Sequence, residues 1–192
     1  MITKNWSPIH VFSEIGRLRT VLVKRPGHEL AHITPGNMNE LLFSAILNWR
    51  KAGLEHDEFT KILRENGVDV VYLEDLLVEA WAAATPKQQQ EFIQQFVDEA
   101  DVDDAKLKPK IYQYLANRSV RGMIQTMIEG VSTFDLGLSI EHDVLVTKPM
   151  PNLYFTRDDF SSVGGNVDTV YDDSITEGIK IIHGSKLYDY SV

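Results

Sequence analysis

The clearest apolar run in the first third of the chain is Arg19-Thr-Val-Leu-Val-Lys24, closed by the turn signal Arg25-Pro-Gly27. Compact β-branched runs bounded by a turn predict a buried or half-buried strand. The pattern then changes period. Phe59, Ile62 and Leu63 recur at helical spacing within Glu55 to Asn66, and Asn66-Gly67 is a stop signal. Val68 to Leu73 returns to β-branched residues and predicts a second strand. Strand, helix, strand within this length is an α/β pattern. From about Leu76 the β-branched runs disappear, and Ala, Gln, Glu, Lys and Leu dominate. Thr85-Pro86 predicts a helix start, with Thr as N-cap and Pro at the first helical position, and Phe92, Phe96 and Val97 supply its apolar stripe. Asp98 to Asp104 is an acidic connection, Lys108-Pro109 opens another helix with Ile111, Tyr114 and Leu115, and Ser119 to Glu129 gives a third that ends at Gly130. Beyond Val131 the strand-and-turn character returns. His142 to Lys148 reads as strand-like, Pro149-Met-Pro-Asn152 as a turn, and Gly164-Gly165-Asn166 as a further break. Residues 1–75 therefore form an α/β unit, 76–130 an all-helical insert, and 131–192 a second α/β unit.

Composition narrows what such a chain can do. With 192 residues, 43% hydrophobic and 24% charged, it can bury a core. A net charge of −9 excludes a protein whose affinity rests on phosphate neutralisation, so neither nucleic acid nor an anionic membrane surface is expected as partner. A small cationic substrate is compatible with this field. Cysteine is absent, which removes disulfides, thiolate metal sites and a cysteine nucleophile together. No apolar stretch approaches membrane-spanning length, and polar residues interrupt the N-terminus before any signal-like run, so a cytoplasmic location is expected.

The segment richest in chemistry is Pro149-Met-Pro-Asn-Leu-Tyr-Phe-Thr-Arg-Asp158, with two prolines, two aromatics, an amide, a guanidinium and a carboxylate. Extended backbone after Asn152 would place Asn152, Tyr154, Thr156 and Asp158 on one side and Leu153, Phe155 and Arg157 on the other. Both sides then mix polar and apolar groups, as a strand end lining a site would. The plainer alternative is a strand whose Arg157 and Asp158 are tied into internal ion pairs.

Pro151-Asn-Leu-Tyr-Phe-Thr-Arg-Asp158 resembles the motif of the arginine deiminases, hydrolases that convert L-arginine to citrulline and ammonia. Other stretches resemble the family in the same order: Val11 to Gly27, Thr34-Pro35, Glu40-Leu-Leu-Phe43, Glu55-His-Asp-Glu-Phe59, and Asn66-Gly-Val-Asp-Val-Val-Tyr-Leu-Glu74. The resemblance implies an α/β fold, an incomplete α/β propeller of strand–helix modules with an inserted helical bundle. It also implies site roles. Asp158 matches the carboxylate that grips the substrate guanidinium, a bidentate pairing that suits both planar groups. Asn152 matches a residue that helps hold the α-carboxylate, Phe155 an aromatic beside the substrate, and Leu42 a residue covering bound arginine. Arg157 lies within the motif and reads as structural. No metal or organic cofactor is expected, and the family chemistry requires none.

The same resemblance shows what is missing. In the family a cysteine attacks the guanidinium carbon to give a covalent thiouronium, while a histidine and acidic partners handle protons and water. None of His10, His28, His32, His56, His142 and His183 falls in that catalytic motif, and there is no cysteine. Ser44-Ala45 stands where the family usually has two aspartates, and Asp159 where many relatives have proline. From about Gly165 the sequence departs further, with no arginine after Arg157, which suggests a replaced or out-of-frame tail and a premature end at Val192. The expectation is an arginine deiminase N-terminal portion, a hydrolase by family and inactive alone. The alternative is a non-catalytic arginine-site remnant, or an assembly partner of a full-length deiminase in a homo- or hetero-oligomer. The close Asn152-to-Asp158 run favours a deiminase over an amidinotransferase.

Overall fold

The computed structural model describes residues 15–138 and 143–157, together with the backbone of 160–163 and 166–169. It is a mixed α/β structure dominated by helices. Strand β1 (Thr20–Val23) pairs in parallel with β2 (Asp69–Tyr72), Val21 opposite Val70 and Leu22 opposite Val71. The 17-residue helix α1 (Trp49–Glu65) runs between them in sequence, as a parallel pair demands. Its start was not legible in the apolar spacing. Asn48 caps it, accepting from the amide of Lys51 at 3.1 Å. The predicted stripe is present but does not face the core. Phe59 and Ile62 are 52% and 56% exposed, and the residues that α1 buries are Gly53 and Thr60. Gly53 is buried because the Arg25 guanidinium lies over it, fixed by two hydrogen bonds to Asp57 at 2.7 and 2.9 Å.

Helix α2 (Leu73–Ala83) follows β2 without a loop, and α3 (Pro86–Glu99), α4 (Lys108–Ala116) and α5 (Val120–Glu129) complete the helical stretch. The predicted caps are in place. Ser119 accepts from Gly122, and Thr85 forms a reciprocal capping box with Gln88. Thr85→Ala removes one half of that box and is expected to cost about 1 kcal/mol in urea unfolding; an unchanged midpoint would show that the box contributes nothing.

The main core runs through these helices. Leu73, Leu77, Ile93, Val97, Ile111, Leu115, Met123, Ile124, Met127 and Ile128 are buried together, and Val131, Met150 and Leu153 join them. A second cluster of Leu30, Ile33 and Leu41, backed by Met38, Phe43 and Trp49, anchors the loop between the 3-10 turn His28–His32 and α1.

Two readings of the third stretch are corrected. Among the described residues of 142–148 there is no strand, only an isolated bridge from Leu145 to Ser132. The Thr147 hydroxyl takes the Val131 amide at 2.8 Å, so a side chain occupies a place that a strand ladder would give to backbone. Pro151–Tyr154 is a 3-10 turn rather than extended chain. Proline fixes φ at its first position, and the Phe155 amide closes onto the Asn152 carbonyl at 2.9 Å. Beyond it, β3 (Phe160–Val163) and β4 (Asn166–Thr169) form an antiparallel hairpin with Val163 opposite Asn166. Gly164-Gly165, read from the sequence as a break, lie outside the described residues.

Candidate functional site

The 3-10 turn is held from below and from the side. Met150 and Leu153 insert into the helical core, and the Met150 amide donates to the Ile128 carbonyl at the end of α5 at 2.8 Å. From the side, the Thr156 hydroxyl donates to the Leu22 carbonyl of β1 at 2.9 Å. The turn is thus seated between the helical stretch and the first strand. Within and beside it, Asn152 is half-buried and Phe155 exposed. Phe155 stacks on Tyr154 with ring centroids 4.0 Å apart, and burial raises the Tyr154 phenol above its ordinary pKa.

The Leu42 loop meets this turn. The Asn152 side-chain amide donates to the Leu41 carbonyl at 3.2 Å across 111 positions of sequence. Leu42 itself adopts φ +61 with its side chain 74% exposed. A γ-branched residue in the left-handed region is unfavourable by itself and persists where its surroundings determine it. They do so here. Leu41 is buried, the Leu42 amide bonds the Asn39 carbonyl, and the Phe43 amide bonds the Met38 carbonyl at 2.8 Å. Asn37 stitches the start of the loop, accepting from the Thr34 amide and donating to the His32 carbonyl.

A third tie comes from a residue the sequence did not single out. The Lys148 ammonium lies 2.8 Å from a Glu40 carboxylate oxygen and 2.9 Å from one of Asp101. Hydrogen bonds to Glu40 and then to Asp101 raise its pKa above the ordinary lysine value.

Three of the four residues proposed from sequence, Leu42, Asn152 and Phe155, are therefore placed on two segments that touch. Asp158 and its neighbour Asp159 lie outside the described residues. Arg157 is exposed. Of the described histidines, His28 stacks edge-on against His32 and lies 3.8 Å from Glu129, while His56 packs against Phe59 and Tyr72. Burial lowers both His32 and His56 below the usual histidine pKa, which keeps them neutral near pH 7. Elsewhere, an open depression along α4 is lined by Lys110, Tyr114, Arg118 and Asp135. Burial and then the hydrogen bond to Asp135 push the Tyr114 phenol up to about 12, so it stays protonated and donates to Asp135. None of the motif residues lines it.

Comparison with known proteins gives one consistent result. The arginine deiminase family model matches residues 39–168. The chain is 44% identical over 160 residues to the arginine deiminase of Metamycoplasma hominis, covering 83% of this chain and 39% of that one. It is 44% identical over 166 residues to the arginine deiminase of Borrelia duttonii, covering 82% and 40%. With the arginine deiminase of Treponema denticola it is 40% identical over 192 aligned positions, covering 95% and 47%. The chain thus spans less than half the length of these relatives. Coverage of 95% leaves fewer unmatched positions than the stretch after Gly165 holds, so at least part of that stretch falls within the alignment.

Proposed function

The chain belongs to the arginine deiminase family, and on that premise we propose that it carries the substrate-recognition side of a site hydrolysing L-arginine to L-citrulline and ammonia. In this reading Asp158 pairs with the guanidinium, Asn152 holds the α-carboxylate, Phe155 lies beside the aliphatic stem, and Leu42 covers the bound molecule. The observation that supports it best is the contact between the Asn152 amide and the Leu41 carbonyl, which brings the covering loop onto the motif segment. One of the two Asn152 amide hydrogens is used in this way, and the other is left to reach a carboxylate. The organisation that goes with this reading is a first propeller module in residues 1–75, an inserted helical bundle in 76–130, and a second module in 131–192, in a cytoplasmic protein that needs no cofactor. No helix among the described residues is long and apolar enough to cross a membrane.

These 192 residues contain no cysteine, so the thiolate that opens the reaction cannot come from them. The purified chain, given L-arginine at several pH values beside a full-length deiminase, is expected to form no citrulline. Its arginine affinity, read by calorimetry, is expected to be weaker than about 1 mM, because one carboxylate on an exposed guanidinium contributes roughly 0–1 kcal/mol. Citrulline above background that survives repurification would overturn this account, since another nucleophile would have to be at work.

A second reading, a non-catalytic assembly partner of a full-length deiminase, is favoured by one feature. Leu54, Phe59 and Ile62 stand 65%, 52% and 56% exposed on α1, an apolar face of the kind that marks interaction surfaces. Light scattering of the chain mixed with a full-length deiminase would show a mixed species under this reading and only the separate components without it.

A further inference from the structure

We propose that Lys148 is a positioning residue that clasps the Leu42 loop to the helical stretch, so that the helical stretch sets how far the loop opens. The inference rests on the reading of that loop as the cover of the arginine site.

Three segments far apart in sequence meet at this ammonium. Glu40 lies two residues before Leu42, Asp101 lies in the connection after α3, and Lys148 immediately precedes the Pro149-Met-Pro turn that carries Asn152. An ammonium has three donors on a flexible stem, and can serve two carboxylates arriving from different directions better than a planar guanidinium fork. Lys148 is the most enclosed member, 35% exposed against 57% for Glu40 and 72% for Asp101. Removing it therefore releases two carboxylates from each other and leaves them without their shared counter-charge. Asp101 is held at φ +47, just past the α3 cap at Ala100, which fixes where its carboxylate is presented.

The loop has few other outside ties. Its own hydrogen bonds, Leu42 to Asn39 and Phe43 to Met38, make it move as one piece. The Asn152 contact with Leu41 holds it from the motif side, and the Leu30, Ile33 and Leu41 cluster holds its base. The Lys148 contact carries the loop across to Asp101, in the connection just past α3. A change at the end of α3 can thus be felt at Leu42 without passing through the core.

Hydrogen exchange on the full 192-residue chain tests this. In Lys148→Met the amides of Leu42 and Phe43 are expected to exchange roughly tenfold faster, with Ile111, Leu115 and Met127 unchanged. Asp101→Asn is the diagnostic variant. Asparagine tolerates the left-handed backbone but loses the charge, and Asp101 is tied to the loop through Lys148, which bridges it to Glu40. It is expected to give a smaller acceleration at the same two amides, and Lys148→Arg, which keeps the charge but presents a planar fork, to fall between the parent and Lys148→Met. Unaltered exchange at Leu42 and Phe43 in Lys148→Met, acceleration spread evenly over the chain, or no effect of Asp101→Asn would overturn the proposal. The readout uses no arginine, so it can fail while the site assignment stands, and the assignment can fail while it stands.

Discussion

Lys24→Met is expected to destabilise the chain by about 3–5 kcal/mol, a large part of what holds a domain of this size folded. Lys24 and Glu29 are each 2% exposed and are paired directly, at the end of β1 and in the 3-10 turn that follows. The pair is not an energetic gain over an apolar core, because both ions were taken out of water to make it. The cost of breaking it is different. Without the ammonium, the Glu29 carboxylate stays buried with one described partner, the Gly27 amide at 2.7 Å. Glu74 is affected too. Burial raises its carboxyl pKa, while its own backbone amide and Lys24 draw it down, so loss of Lys24 leaves a second acid less compensated. Urea unfolding followed by circular dichroism reads the loss directly. The double variant Lys24→Met with Glu29→Leu is expected to recover much of it, since no charge is then stranded. A single variant within about 1 kcal/mol of the parent would mean that the pair is wetter than 2% exposure indicates.

Gly130→Ala is the second large effect expected, and it reaches the site from a distance. Gly130 closes α5 at φ +92 and ψ 142, a conformation that residues with a side chain rarely adopt. A Cβ there would lie 2.8 Å from the Thr147 carbonyl oxygen and 3.2 Å from a Leu145 methyl. The carbonyl cannot step aside cheaply, because its neighbours are pinned. The Val131 amide donates to Thr147 Oγ1, and the Val131 carbonyl accepts from Val146 at 2.7 Å. Backbone strain of about 1–3 kcal/mol is joined by an overpacking cost of about 1–3 kcal/mol. The same displacement carries Lys148 and the 3-10 turn with it. In chemical denaturation the variant should unfold early, and its Leu42 amide should exchange faster even where the fold survives. Parent-like stability would show that 131–147 can shift freely, and that α5 does not set the height of the motif.

Sequence patterns revealed those parts of this structure that depend on local chemistry. The β-branched runs became β1 and β2, and Thr85, Pro109 and Ser119 start helices where their cap and proline chemistry says they should. The pattern failed where tertiary contacts decide. The first turns of α1 carry only Trp49 and Ala52 as apolar contacts and bury Gly53 beneath the Arg25 guanidinium, a partner that no local window contains. The outward face of α1 has the spacing of a core stripe and is not one among the described residues. The chain after Asn152 reads as extended, whereas Pro151–Tyr154 folds into a 3-10 turn because Pro151 fixes φ at its first position and Leu153 is drawn into the helical core. The candidate site was half legible. The residue types of the motif pointed to it, and the family resemblance supplied Leu42. The Asn152 bond to Leu41 and the Lys148 bridge join positions that nothing along the chain connects.

The Asn152 and Thr156 hydrogen bonds close loops of 111 and 134 positions. In polymer terms each is one modest bond set against the entropy of a long tether, and neither could hold such a loop shut in a flexible chain. They hold because much of the intervening chain is already folded. Once α2 to α5 are packed on their common core, most of the contour between Leu41 and Asn152 is taken up by helices. The helical stretch therefore acts as a spacer of fixed length, and the precision of the site depends on how little slack it leaves.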